Sequence, residues 1–190
     1  LGRTSLSVES SLEILYRVAL ALKEAHFGKI VHRDIKPANI FLHKNQSKID
    51  FTVKLLDFGI AKMLEGTSHT ITGQMMGTPH YMSPEQIINI KLVDHRTDIY
   101  SLGVVLYHML MGRVPYDDDS YYAIMRHHMQ SPMPMLSLDS LPENVLESLQ
   151  RLLTQMTVKD VRKRVTSIDE VIQKVQMIWN QFPSLKQEIL

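Results

Sequence analysis

The stretch 98–111 constrains the fold most. Ile99, Leu102, Val104, Val105, Leu106, Met109 and Leu110 leave it almost no polar face. A helix that is apolar all round has to be enclosed by other elements. Gly112 and Pro115 close it. The segments that could enclose it are amphipathic. Leu12, Leu15, Ala19 and Leu22 share one face of a helix over residues 7–27, with Ser7 as its N-cap and Gly28 ending it as a residue tolerant of positive φ. Residues 120–130 form a short helix, broken afterwards by Ser131-Pro132-Met133-Pro134. Ser140 with Glu143, and Ser167 with Glu170, read as capping boxes. They precede the apolar sets Val145, Leu149, Leu152, Leu153, Met156 and Val171, Ile172, Val175, Ile178.

Two segments depart from this helical pattern. Residues 40–42 and 51–56 are β-rich, and the polar residues 43–50 between them suit a hairpin loop. Residues 57–85 are rich in Gly, Ser and Thr without periodicity, and a stretch of that length in a compact domain is functional or disordered. The expected class is mainly α: a helical bundle with one small β-hairpin.

Composition removes several function classes. A net charge of +1 gives no bulk attraction to nucleic acid or an anionic membrane. With no cysteine there is no disulfide framework and no thiolate metal site or nucleophile, which fits a reducing compartment. No apolar run approaches the roughly 20 residues of a membrane helix. The twelve methionines read as adaptable core filler. His80, His127 and His128 read as surface or loop residues, and no His/Asp/Glu spacing suits zinc. The first residues contain neither a starting Met nor an apolar signal region, so the chain is expected to begin inside a longer one.

Chemistry concentrates around the hairpin. His32-Arg33-Asp34-Ile35-Lys36-Pro37-Ala38-Asn39 precedes the first strand, Asp57-Phe58-Gly59 follows the second, and Gly77-Thr78-Pro79-His80-Tyr81-Met82-Ser83-Pro84-Glu85 closes the irregular stretch. Asp34 and Asp57 are 57 − 34 = 23 positions apart, a separation that the hairpin spans, so both carboxylates come to one edge.

These three pieces, in this order, resemble the protein kinase signature: His-Arg-Asp with Asn five positions after the Asp, then Asp-Phe-Gly, then a Pro-Glu closure. The resemblance runs from about residue 1 to 178. It implies the C-terminal lobe of a serine/threonine protein kinase of bacterial type, with residues 179–190 as an extension or linker. It also implies ATP and Mg²⁺ as cofactors and Ser/Thr hydroxyls of proteins as acceptors. A second kinase copy is a candidate partner, no nucleic acid or membrane contact is expected of this segment, and the location is cytoplasmic. Phosphoryl transfer needs mainly positioning and charge stabilisation. On that pattern Asp34 accepts or orients the acceptor hydroxyl, Lys36 faces the moving phosphoryl group, and Asn39 and Asp57 are oxygen ligands for Mg²⁺. Phe41 lies beneath the adenine ring or is plain core. Lys36 and Thr78 are the serine/threonine-type residues, Thr78 supporting Asp34 and Lys36. Asp98 holds the backbone around His32 and Arg33, and Glu85 with Arg164 forms the ion pair that anchors the loop's end, although Val165 stands where Pro is more usual. His32 and Phe58 join a buried spine beside Gly59. Arg33 pairs with a phosphorylated loop residue, for which Thr70 and Thr72, eight and six residues before Thr78, are the candidates.

The family's other half is a glycine-rich loop, a strand lysine and a helix glutamate. No G-x-G-x-x-G precedes His32. The chain alone is therefore expected to be inactive, needing the N-terminal lobe. Two further readings stand: a kinase-like lobe that binds proteins without catalysis, and nucleotide hydrolysis without a protein acceptor.

Overall fold

The structure, a computed structural model, describes residues 5–44, 51–56, 79–138 and 141–181. Its elements in order are helix α1 (Val8–Phe27), strands β1 (Ile40–Lys44) and β2 (Phe51–Leu55), then helices α2 (Pro84–Asn89), α3 (Arg96–Met111), α4 (Tyr121–Gln130), α5 (Glu143–Met156) and α6 (Ile168–Trp179). Short 3₁₀ turns cover Pro37–Asn39, Pro79–Tyr81, Ile90–Leu92 and Val161–Lys163. No helix among the described residues is long and apolar enough to cross a membrane.

The all-apolar helix is central, as its composition requires. Thirteen of its residues are buried, including Ile99, Leu102, Val105, Leu106 and Leu110. α1, which buries Leu12, Leu15, Ala19 and Leu22, and α5, which buries Leu149, Leu152 and Met156, both pack against it. α6 closes the layer against α1 and α5 with Val171 and Val175. It runs through Trp179, whose ring meets Tyr16 edge-on at 4.9 Å. Gly103 permits the close approach of α3 to α5: a Cβ there would stand 2.7 Å from Thr157 Cγ2 and 3.0 Å from Met156 Cβ. Gly112, at φ 67°, takes the left-handed turn that ends α3.

The hairpin forms as expected, antiparallel, with Ile40 opposite Leu55 and Leu42 opposite Val53. Ile40, Val53 and Leu55 pack against the helical core. Phe41 is 55% exposed, so the plain-core reading of it fails.

Several local expectations need correction. Ser7 does cap α1, its side chain accepting from the Ser10 N–H. Gly28, however, is not the left-handed residue: its φ is −73°, and Lys29 next to it has φ 60°. The Ile30 N–H reaches Ala25 O (2.8 Å) and the Lys29 N–H reaches His26 O (2.9 Å). This bond pair places the left-handed position one residue beyond the cap. At α5 the cap is Pro142, without a side-chain bond; its carbonyl accepts from the N–H groups of Val145 and Leu146 (both 3.0 Å). Ser140 lies outside the described residues. Ser167 caps α6, but Glu170 reaches back to the Thr166 N–H, one residue earlier than a full box requires. His128 is no surface residue: it is fully buried on the inner face of α4 with Ile124 and Met125.

Candidate active site

Three of the predicted residues converge just before the hairpin. The turn Pro37–Asn39 starts on a proline, whose fixed φ and missing N–H suit a first helical position. It swings Asn39 back over Asp34: Asn39 Nδ2 donates to Asp34 O (2.8 Å) and Oδ2 (3.0 Å). Lys36 Nζ lies 2.8 Å from the same Oδ2. With the Asn39 N–H groups turned to Asp34, its amide oxygen is the atom suited to a hard cation, a donor type that Mg²⁺ accepts. On the other side, the Leu56 N–H donates to Asn39 O (2.9 Å), so the residue before Asp57 is tied to this cluster. Asp57, Phe58, Gly59, Thr70, Thr72 and Thr78 lie outside the described residues.

The loop bearing Asp34 rests on buried polar groups. Asp98, in the first turn of α3, is fully buried. Its Oδ2 accepts from the His32 N–H (2.9 Å) and its Oδ1 from the Arg33 N–H (2.8 Å). His26, at the end of α1, donates from Nε2 to Asp98 Oδ2 (2.9 Å). Arg33 has φ 65°, a left-handed conformation uncommon for a non-glycine residue. His32 is fully buried. Its Nε2 faces Leu56 O (3.0 Å), so that nitrogen donates, and Nδ1 accepts from the Asp34 N–H (3.3 Å). Both contacts fit a neutral ring, and burial holds its pKa below the usual histidine value.

The segment expected to carry the acceptor is fastened to the same loop. Ser83 and Gln86 form a complete capping box at α2. Gln86 Nε2 then donates to Arg33 O (2.8 Å). Ser83 Oγ meets Thr97 Oγ1 (2.6 Å), and Ser101 Oγ donates to Tyr81 O (2.7 Å). Between loop and segment, lined by Asp34, Lys36, Tyr81 and Gln86, remains a cavity of about 10 Å³, room for no more than a water. Burial raises the Tyr81 pKa to about 12, so its hydroxyl keeps its proton.

Glu85 and Arg164 make the predicted pair. Arg164 Nη1 donates to Glu85 Oε1 (2.6 Å) and Nη2 to Oε2 (2.9 Å). The guanidinium also donates to Val158 O (3.0 Å) and Arg96 O (2.8 Å) and lies 4.9 Å from the Tyr100 ring centroid. Sequence reasoning missed His26 and Gln86. Gln86 was findable, because Ser83-Pro84-Glu85-Gln86 has the capping-box spacing. A single histidine at a helix end, 72 positions from its partner, gives no such sign.

Comparison with known proteins agrees with this geometry. The protein kinase domain family model matches residues 2–177. Among curated proteins, the chain is 36% identical to the probable serine/threonine-protein kinase PknB of Lactococcus lactis, over 90% of this chain and 26% of that protein. It is 39% identical to the serine/threonine-protein kinase Pkn1 of Myxococcus xanthus, over 87% of the chain and 23% of that protein. With the serine/threonine-protein kinase PrkC of Bacillus subtilis the identity is 35%, over 86% and 24%. The chain thus spans about a quarter of the length of these relatives. With a signature loop folded around Asp34 and a family match over nearly its whole length, the chain belongs to the protein kinase domain family.

Proposed function

We propose that residues 1–178 are the acceptor-side, C-terminal lobe of a cytoplasmic serine/threonine protein kinase, with the remaining residues an extension. It would transfer the γ-phosphate of ATP to Ser or Thr hydroxyls of proteins once joined to a nucleotide-gripping N-terminal lobe. The observation that carries this reading is the convergence of Lys36 Nζ (2.8 Å) and Asn39 Nδ2 (3.0 Å) on Asp34 Oδ2. A carboxylate held between a cation and an amide is fixed in place to orient an acceptor hydroxyl and take its proton. Lys36, on the same oxygen, can follow the transferring group and offset its charge. Asn39, together with Asp57, would hold Mg²⁺, which when bound neutralises the phosphate oxygens. Phe41, exposed on β1, offers an apolar floor on which an adenine would rest. Among the described residues, Arg33 Nε is buried without a hydrogen-bond partner. That favours pairing of Arg33 with a phosphate on Thr70 or Thr72.

The test compares two proteins in an ATP-dependent phosphorylation assay: the 190-residue chain, and the same chain joined to the N-terminal lobe of a bacterial serine/threonine kinase. The expected result is no transfer by the first and transfer to Ser/Thr by the second, abolished by Asp34→Asn. Activity of the isolated chain that Asp34→Asn removes would overturn the two-lobe requirement. A joined protein that binds acceptor proteins but transfers nothing would leave the binding-module reading in its place.

A further inference from the structure

Away from the catalytic loop, Lys159 occupies an uncommon setting for an amine. It follows α5 and precedes the turn Val161–Lys163. Its Nζ lies 2.9 Å from Tyr100 OH and 3.1 Å from Tyr116 OH. The same atom lies 5.2 Å and 4.9 Å from the two ring centroids. Both hydroxyl protons have other acceptors. Tyr116 OH donates to Ser131 O (2.8 Å) and Pro132 O (2.9 Å). Tyr100 OH stands 2.9 Å from Nδ1 of His128, whose pKa burial lowers to about 3, so that the ring is neutral. The two phenol oxygens are thus left to accept from the amine, and two acceptors leave one N–H of an NH₃⁺ unmatched, which opposes the cation–π attraction of the two rings.

The charges around the cage point the same way. Glu85 is engaged by Arg164 and Asp160 by Arg162, so neither acid serves the lysine as a counter-ion. Arg164, itself on the Tyr100 ring, opposes a second cation. His127, stacked on Tyr116, and the exposed Lys163 add no negative charge. Burial first, and Arg164 second, bring the Lys159 pKa down to about 8. The residue as a whole is only half-buried.

We propose that Lys159 is a nucleophilic amine and a site of acylation by an activated acyl donor, an acyl phosphate or an acyl thioester. The Nζ lone pair attacks the carbonyl carbon and a C–N bond forms. The C–O bond to phosphate, or the C–S bond to the thiol, breaks, and the leaving group departs with its electron pair. The extra proton on nitrogen passes to water. The resulting amide keeps one N–H, so one of the two tyrosine oxygens loses its donor. Acylation therefore loosens the tie between α3 and the segment around Tyr116.

At pH 7.5 such an amine is about one quarter neutral, against about one thousandth for an ordinary lysine. Lower basicity and partial burial reduce that advantage to roughly tenfold in rate, by analogy with thiols, whose nucleophilicity falls with their pKa. The experiment treats the folded chain with acetyl phosphate in one arm and an acetyl thioester in the other, from pH 6 to 10. Each lysine's acetylation is then followed by peptide mass spectrometry, with Lys163 as internal reference. Lys159 should react about tenfold faster than Lys163 at pH 7.5 in at least one arm, with a midpoint near pH 8. Equal or slower reaction in both arms, or a midpoint near pH 10, overturns the proposal. Tyr116→Phe keeps the ring and removes one acceptor, so the Lys159 midpoint should fall further while Lys163 is unaffected. An unchanged midpoint overturns the role given to the cage.

Discussion

The first turns of α3 are clamped from two sides, and the clamps work differently. On one side Arg164 meets Glu85 charge to charge and also bonds the carbonyl of Arg96. On the other, Asp98 holds two backbone N–H groups and one imidazole, with no arginine or lysine paired to it among the described residues. The first arrangement fixes where a segment lies: α2 is drawn onto the turn after α5, whatever its backbone conformation. The second fixes a shape. A carboxylate that accepts from two consecutive N–H groups dictates their direction, and Arg33 is held at φ 65° against its preference. An ion pair would not impose that geometry, and a pair of amides would not need a counter-charge.

The largest effect should come from breaking the first clamp. Glu85→Gln leaves the fully buried Arg164 without its counter-ion, and such a loss costs roughly 3–5 kcal/mol. Urea unfolding of the variant checks this. A loss below about 1 kcal/mol would show that the pair behaves like an exposed surface bridge, and the contrast between the clamps would collapse.

Asp98→Asn should cost less in stability, about 2–3 kcal/mol, because one oxygen remains while an NH₂ is turned toward a backbone N–H. Its larger consequence is local. In the chain joined to a bacterial kinase N-terminal lobe, the transfer proposed above should fall at least tenfold at temperatures where the protein stays folded, as the loop around Asp34 loses its imposed shape. Glu85→Gln under the same conditions should lower activity only in proportion to the folded fraction. Equal activity losses in the two variants would erase the distinction between holding a position and holding a shape.

Much of the fold was legible because burial leaves a period in the sequence. The apolar stretch 98–111, the faces of α1, α5 and α6 and the hairpin all followed from spacing. At the site, Asp34, Lys36 and Asn39 lie within six residues, so their convergence needed only a local turn. Asp98, Glu85 and Arg164 came from the family pattern, not from any periodicity. His26 carried neither sign: its bond to Asp98 depends on how α1 ends against α3. The end itself was placed correctly, at Phe27 with Gly28 as its cap, but the left-handed conformation expected of Gly28 is adopted by Lys29. His128 was readable and overlooked. It stands four residues after Ile124 on an amphipathic helix, yet its polarity and its neighbour His127 suggested a surface.

His128 also allows the two clamps to be compared in acid. Its pKa of about 3 in the folded protein lies far below the roughly 6.5 of an unfolded chain. Between these values the unfolded state binds more protons, so the stability contribution is complete above about pH 6.5 and is lost as pH falls toward 3. At pH 5 the loss from this one group is about 2 kcal/mol. His32, on the Asp98 side, is shifted in the same direction by burial. His128→Gln should flatten the fall in unfolding free energy between pH 6.5 and 4.5. A slope unchanged by that substitution would show that His128 is not the source of the acid sensitivity and leave it to groups such as His32 and His108, which burial also holds below the usual histidine value.

The smallest expected effect tests whether the backbone strain at Arg33 is imposed by its clamp. Lys29 and Arg33 are both left-handed, at φ 60° and 65°. Lys29 adopts the conformation to close α1, a position where glycine is the usual residue. Lys29→Gly should therefore be stabilising by up to about 1 kcal/mol, the relief of strain being partly offset by the greater freedom of glycine in the unfolded chain. Arg33→Gly relieves the same strain, but the loop's shape comes from the Asp98 carboxylate, which accepts the N–H of residue 33 whatever its side chain. In the wild-type background Arg33→Gly should stabilise about as much as Lys29→Gly. In the Asp98→Asn background that gain should shrink, because the released loop no longer holds residue 33 left-handed, while the gain from Lys29→Gly stays constant. A double-mutant cycle by urea unfolding reads the difference. Equal gains in both backgrounds would mean that Asp98 does not impose the conformation.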